Sequence, residues 1–185
     1  GHGKQIFGGT SGTSGMSILT KSTMLVGLMQ GALQDRFYSR MKFDGQRRLV
    51  SIKGEQFGDY PDGYVSTEPW LPDYVAQGNF APSVQLRQPV TLDKQLEFLN
   101  RQGPCYLNTQ PSNLGGLALE KRSRPDLYPD INVAGVICLG ELVQPYHREL
   151  AKTSFGCEIY DIYSASEVGS IAHQCAAGHL HVNSE

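Results

Sequence analysis

Residues 8–17 read Gly8-Gly9-Thr10-Ser11-Gly12-Thr13-Ser14-Gly15-Met16-Ser17, and nine of these ten are glycine, serine or threonine. Glycine lets the backbone reach φ > 0 and approach a ligand closely, while hydroxyls and freed amides supply hydrogen-bond donors without bulk. Such a loop suits phosphate oxygens. It matches neither common glycine fingerprint, since it lacks the Gly-Lys-Ser/Thr of a Walker A loop and the spacing G-x-G-x-x-G. Its composition alone would equally describe a flexible linker. The flanks decide between the two. Lys4-Gln5-Ile6-Phe7 reads as a short strand, and from Thr20 to Met41 the residues Met24, Leu25, Leu28, Met29, Ala32, Leu33, Phe37 and Met41 fall at helical spacing. That spacing predicts one long amphipathic helix starting just past the loop. A strand, a hydroxyl-rich loop and a helix in that order place the helix's unpaired first-turn amides and positive dipole end near a bound anion.

Further along, Arg48-Leu49-Val50-Ser51-Ile52 reads as a strand, and Lys53 to Pro82 as an irregular segment. Its aromatics Phe57, Tyr60, Tyr64, Trp70 and Tyr74 read first as packing of a long loop, with an apolar substrate slot as the alternative. Thr91 is placed as the N-cap of a helix carrying Leu92, Leu96 and Leu99, followed by a strand at Cys105-Tyr106-Leu107-Asn108. A short helix runs from Pro111-Ser112 through Leu119, and the apolar run 133–139 is a buried strand. Pro145 opens another helix, and Glu158-Ile159-Tyr160-Asp161-Ile162-Tyr163 is a further strand. Two short strands around Ala176-Ala177-Gly178 close the chain. Strands alternating with helices predict an α/β fold: a largely parallel sheet with flanking helices and a short C-terminal β-hairpin. Ligands of such sheets bind at the carboxyl ends of the strands, where Gly8, Gly140 and Tyr163 are expected to fall.

The composition bounds the partners. At 185 residues the chain is long enough for one ordinary domain, and one compact unit is expected. A formal net charge of −2 provides no field for nucleic acid or an anionic membrane surface, so both are excluded as expected partners. The apolar run Val133–Leu139 is too short to span a bilayer, and a cytoplasmic location is expected. The four cysteines, Cys105, Cys138, Cys157 and Cys175, are widely spaced and form no C-x-x-C, which argues against a disulfide framework.

Two motifs carry a family resemblance. Thr10-Ser11-Gly12-Thr13-Ser14-Gly15 and Tyr163-Ser164-Ala165-Ser166-Glu167 resemble the signature motifs of adenylate-forming ligases, the superfamily of acyl-CoA synthetases, luciferases and peptide synthetase adenylation domains. Gly140-Glu141 closes a buried strand between them. Thr109-Gln110-Pro111-Ser112, Asp161-Ile162-Tyr163, Glu167-Val168-Gly169 and Gly178-His179-Leu180-His181 look most like the phenylacetate-CoA ligase branch. The resemblance implies an ATP-dependent acid–thiol ligase that forms an acyl-adenylate from a carboxylic acid, an aryl acid by preference, and then an acyl-CoA. It also implies that Thr10 to Gly15 hold the β- and γ-phosphates, Tyr163 packs on adenine, Ser166 bonds the α-phosphate and Glu167 holds Mg²⁺. Gly140 and Glu141 would border the adenine pocket, with Asp161 and Ser164 beside the nucleotide. Ser164 and Ser166 stand where glycine and threonine are usual, a pattern similar to acyl acid amido synthetases, which keeps a non-CoA acceptor in view. The family's mobile C-terminal domain follows the second motif by a long stretch. Residues 1–185 are therefore expected to be part of an AMP-binding N-terminal domain, without the leading segment and the lid, and inactive by themselves. The resemblance also allows a homodimer.

His173, Cys175, His179 and His181 place four nitrogen or sulfur donors within nine residues. Zn²⁺ favours such donors, and a hairpin brings alternate residues to one face. Ordinary hairpin residues are the equal alternative. The resemblance implies Cys175 and His181 as structural zinc ligands together with further cysteines. A reading from another class competes with the ligase: a non-catalytic nucleotide-binding or zinc-stabilised module. A Ser/His/Asp hydrolase is weaker, since G-x-S-x-G is absent and His147 is expected on a helix surface.

Overall fold

The structure, a computed structural model, describes residues 5–9, 19–53, 63–70, 81–165 and 167–183. The chain divides into two compact units, Asp44–Asp161 and a smaller one formed by residues 1–43 with 162–185. Strand β8 (Ile159–Ala165) runs from the first into the second.

In the larger unit β3 (Arg48–Ile52) pairs in parallel with both β5 (Pro82–Leu86) and β6 (Cys105–Thr109), and β6 with β7 (Val133–Leu139). Strand β4 (Tyr64–Pro69) adds an antiparallel edge on β5. With β9 (Gly169–Gln174) and β10 (Leu180–Val182), the hydrogen-bonded order through eight strands is β10-β9-β8-β7-β6-β3-β5-β4. The α/β class and the mostly parallel sheet agree with the sequence reading, and so does the C-terminal antiparallel hairpin.

Burial explains why the inner strands form. All five residues of β6 are buried, as a strand covered on both faces requires. One row, Val50–Leu107–Val136, lies side by side across β3, β6 and β7 with no exposure. Over it pack Leu96 and Leu99 of α2 (Leu92–Asn100) and Leu114 and Leu117 of α3 (Pro111–Ser123). Helix α3 extends four residues past the predicted end, because Glu120-Lys121-Arg122-Ser123 continue its exposed side with good helix formers.

Helix α4 (Pro145–Phe155) begins with proline at its first turn and ends at Gly156 in the left-handed region, φ 69°. His147 belongs to its cap: the Gln144 amide donates to Nδ1 at 3.0 Å and the His147 amide to the Gln144 carbonyl at 3.0 Å. The ring is buried, 4% exposed, which corrects the surface placement expected from sequence. Burial pushes its pKa below the ordinary 6.5, with Glu141 opposing. A group depressed in the folded state contributes stability above its unfolded pKa and loses it as pH falls through the folded one. Protonated Nδ1, moreover, cannot accept from Gln144. Melting temperature is therefore expected to fall as pH drops below about 6.5, and His147→Asn, which keeps an acceptor and does not titrate, is expected to flatten that fall. An unchanged slope in the variant would show that other groups set it.

The segment expected to be irregular between Lys53 and Pro82 contains β4, and β5 begins at its end. The register of β4 shifts between Ser66 and Pro69, a break in period that hides the strand from sequence patterning. Trp70 donates its indole N–H to the Arg47 carbonyl at 2.8 Å and meets Tyr106 edge-on, the packing role read for the aromatics. Phe57, Tyr60 and Tyr74 lie outside the described residues.

The smaller unit corrects the reading around the glycine loop. Strand β1 (Gln5–Gly9) pairs antiparallel with β2 (Leu19–Thr23) in a separate two-stranded ribbon. Gly8 is thus in that ribbon and not at the carboxyl end of a parallel strand. The helix expected from Thr20 starts at Met24 instead, since Thr20 to Thr23 pair with β1 and the Thr23 hydroxyl caps the Val26 amide at 3.4 Å. Along α1 (Met24–Arg40) only Phe37 and Tyr38 are buried, while Met24, Leu25, Leu28 and Met29 are exposed. The expected apolar stripe is therefore covered by this unit only at its C-terminal end. Among the described residues no helix is long and apolar enough to cross a membrane.

Candidate functional site

Thr10, Ser11, Gly12, Thr13, Ser14 and Gly15 lie outside the described residues, as does Ser166. The structure does place the elements that carry them. The glycine loop joins β1 to β2, whose ends Gly9 and Leu19 are register partners. In sequence Ser166 stands between Ala165 and Gly169, the paired ends of β8 and β9.

The turn between these strands explains the exposure of the second motif. The Val168 amide donates to the Ala165 carbonyl at 3.2 Å, and Gly169 supplies φ 78°, a conformation other residues adopt only under strain. Glu167 projects from the turn exposed, and Tyr163 is 57% exposed on β8. Ser164 is half-buried and faces Ser170 across the ladder. An exposed carboxylate in a turn is a hard oxygen donor, and an exposed phenol ring offers a stacking face. Gln30 of α1 braces this turn. Its Nε2 donates to the Val168 carbonyl at 2.9 Å, and its Oε1 accepts from the Ser170 amide at 2.7 Å. No local pattern marks Gln30, because the contact spans 138 residues of sequence.

In the larger unit, Gly140 and Glu141 follow β7 as expected, Gly140 at φ 84°. Glu141 is engaged: its Oε2 accepts from the Ser112 amide at 2.9 Å and its Oε1 from the Ser112 hydroxyl at 2.8 Å. The carboxylate thereby caps the N-terminus of α3 and satisfies one of its unpaired amides. Ser112 is the partner that sequence reading did not connect to Glu141. Nearby, Thr109 donates to the Ile52 carbonyl, and Asn113 donates to Gln95 at 2.9 Å and to Thr109 at 3.0 Å. These polar groups tie together the carboxyl ends of β3 and β6 and the start of α3. Asp161 lies two residues before Tyr163 on β8, on the same face of the strand. Its Oδ2 is 3.8 Å from Arg148 Nη2, and burial raises its pKa while Arg148 opposes the rise.

His173 and His181 are register partners across the β9–β10 hairpin. Cys175 and His179 flank the turn, where the Cys175 amide donates to the His179 carbonyl at 2.8 Å. His173 is buried and stacked on Phe37 at 4.8 Å, whereas His179 and His181 are exposed. Among the described residues no three His, Cys, Asp or Glu side chains converge to hold a metal ion. The four donors therefore do not form a closed zinc site by themselves.

No protein-family model matches the chain, and no curated protein matches it in sequence. Solved structures do. An acyl-CoA synthetase from Brucella canis superposes with a TM-score of 0.59 at 16% identity, over 96% of this chain and 30% of that one. A benzoate CoA ligase from Burkholderia xenovorans LB400 gives 0.59 at 15%, over 88% and 31%. A 2-hydroxyisobutyryl-CoA ligase, solved with 2-HIB-AMP and CoA, gives 0.61 at 14%, over 92% and 38%. The chain thus has the fold of part of the adenylate-forming acyl-CoA and aryl-CoA ligases, and spans about a third of the length of these structures.

Proposed function

We propose that the chain is the nucleotide-binding core of an ATP-dependent acid–thiol ligase of phenylacetate-CoA ligase type. The observation that carries this reading is Glu167, exposed in a braced turn after Tyr163 on a sheet whose fold is that of acyl-CoA and aryl-CoA ligases. In the first half-reaction a carboxylate oxygen attacks the α-phosphorus of ATP and pyrophosphate leaves with the electron pair. The donors of Thr10 to Gly15 hold the β- and γ-phosphates and stabilise the charge that collects there, and Ser166 bonds the α-phosphate. Tyr163 offers its exposed ring to adenine. In the second half-reaction the coenzyme A sulfur attacks the acyl carbon, and AMP leaves. Glu167 would supply a carboxylate oxygen to Mg²⁺, which would neutralise phosphate charge when bound.

The test uses the longer natural protein with ATP, Mg²⁺ and aryl acids, trapping adenylate with hydroxylamine. Glu167→Gln is expected to lower Mg²⁺-dependent trapping about 100-fold or more, the size of effect seen when one charge-stabilising group is removed. Equal trapping by the variant, or none by the natural protein with any acid, overturns the reading. The 185-residue chain alone is expected to give no ATP–pyrophosphate exchange, and appreciable exchange would contradict that. Replacing coenzyme A with amino acids separates a thiol from an amine acceptor.

A further inference from the structure

The smaller unit carries a cleft of about 410 Å³ that the ligase reading does not use. It lies between the C-terminal half of α1 and the β9–β10 hairpin, with Leu33, Arg36, Phe37 and Arg40 on one side and His173 and Asn183 on the other. No Asp or Glu is among the described residues that line it. Its size falls at the lower end of small-molecule sites, which combine apolar walls with a few polar groups that fix orientation.

The polar groups are organised. Arg36 Nη2 donates to Asn183 Oδ1 at 3.5 Å, and His173 Nδ1 lies 3.1 Å from Asn183 Nδ2 and 3.3 Å from its Oδ1. In the tautomer whose Nδ1 accepts from that amide, the ring hydrogen sits on Nε2, and this is the form the site requires. His173 is 8% exposed, held against Phe37 with planes 16° apart, and its Nε2 is buried without a partner among the described residues. A buried N–H left unpaired costs free energy that an incoming acceptor recovers. A protonated Nε2 offers a hydrogen bond and no lone pair, so it suits an oxygen anion and not a metal ion. Two guanidinium groups line the same cleft, and guanidinium favours planar carboxylate or phosphate partners. Phe37, Leu33 and Val182 supply the apolar wall.

We propose that this cleft binds a small organic anion, a carboxylate or phosphate head on an apolar body, between Arg36, Arg40 and His173. The groups involved all lie on α1 and the hairpin, so the site is independent of adenylation.

The test titrates the ¹⁵N-labelled 185-residue chain at neutral pH with benzoate, with neutral benzamide as the matched control and phenyl phosphate as the second anion. Long-range ring spectra are expected to show the Nε2–H tautomer of His173 and a saturable shift with either anion. Affinity for benzamide is expected to be about tenfold weaker, and Arg40→Gln is expected to weaken benzoate about tenfold, since a charge-assisted bond is lost. His173→Phe keeps the stacking on Phe37 and removes the donor, and its benzoate shift is expected to shrink while the chain stays folded. Equal binding of benzoate and benzamide, or no saturable shift with either anion, overturns the proposal. So does stoichiometric zinc bound through His173.

Discussion

Leu107→Ala is expected to lower stability by about 3–5 kcal/mol, a large share of what holds a domain of this size together. Leu107 has no exposure and sits between Val50 and Val136 in the middle of the parallel strands, under Leu96, Leu99, Leu114 and Leu117. Truncation removes the transfer free energy of the lost methyl groups and leaves a cavity that neighbours on two flanking strands cannot collapse to fill. Leu107→Met conserves volume and is expected to cost less than about 1.5 kcal/mol. Urea unfolding followed by fluorescence measures both, because the chain's one tryptophan, Trp70, packs on Tyr106 of the same strand. A loss below about 1 kcal/mol for the alanine variant would mean the row is not the core that its burial indicates.

Gly169→Ala is expected to cost about 2–4 kcal/mol, from two separable sources. At φ 78° an L-residue is strained by about 1–2 kcal/mol. The new Cβ would also stand 2.5 Å from Gln30 Cδ and 2.7 Å from its Oε1. Gln30 cannot yield without giving up its bonds to Val168 and Ser170, which brace the turn that presents Glu167. Gln30→Ala alone is expected to cost about 1–2 kcal/mol. In that background Gly169→Ala should show only the backbone strain, so the two effects are expected to be less than additive. Strict additivity in thermal or urea unfolding would place the clash elsewhere. In the longer protein both variants are expected to reduce adenylate formation, since each loosens the turn that carries Glu167.

The legible parts of the sequence were those where period or punctuation is local. Val133–Leu139 is a strand because a continuous apolar run of that length fits a strand buried on both faces. Pro145 opens α4 by a rule that acts within one turn. The hairpin at Gly178 followed from two short alternating segments around a glycine. The misreadings came where pairing partners override local preference. Thr20–Thr23 reads as the head of a helix by its spacing, yet with Leu19 it pairs with Gln5–Gly9 and becomes a strand. Tyr64–Pro69 lost its signal to a register shift. His147 looked like a surface histidine until the cap of α4 turned it inward.

By itself, the sequence determined the α/β class, the strands at 48–52, 105–108 and 133–139, and the two motifs that suggest nucleotide chemistry, because apolar periodicity and glycine placement act over a few residues. Tertiary structure alone decided that Glu141 caps α3 through Ser112, that Gln30 braces the turn beneath Glu167, and that Arg36, Asn183 and His173 form one hydrogen-bonded chain along a cleft. Apart from Asn183–His173, which are 10 positions apart, those contacts join residues 29 to 147 positions apart, and no local preference encodes a partner at such a separation.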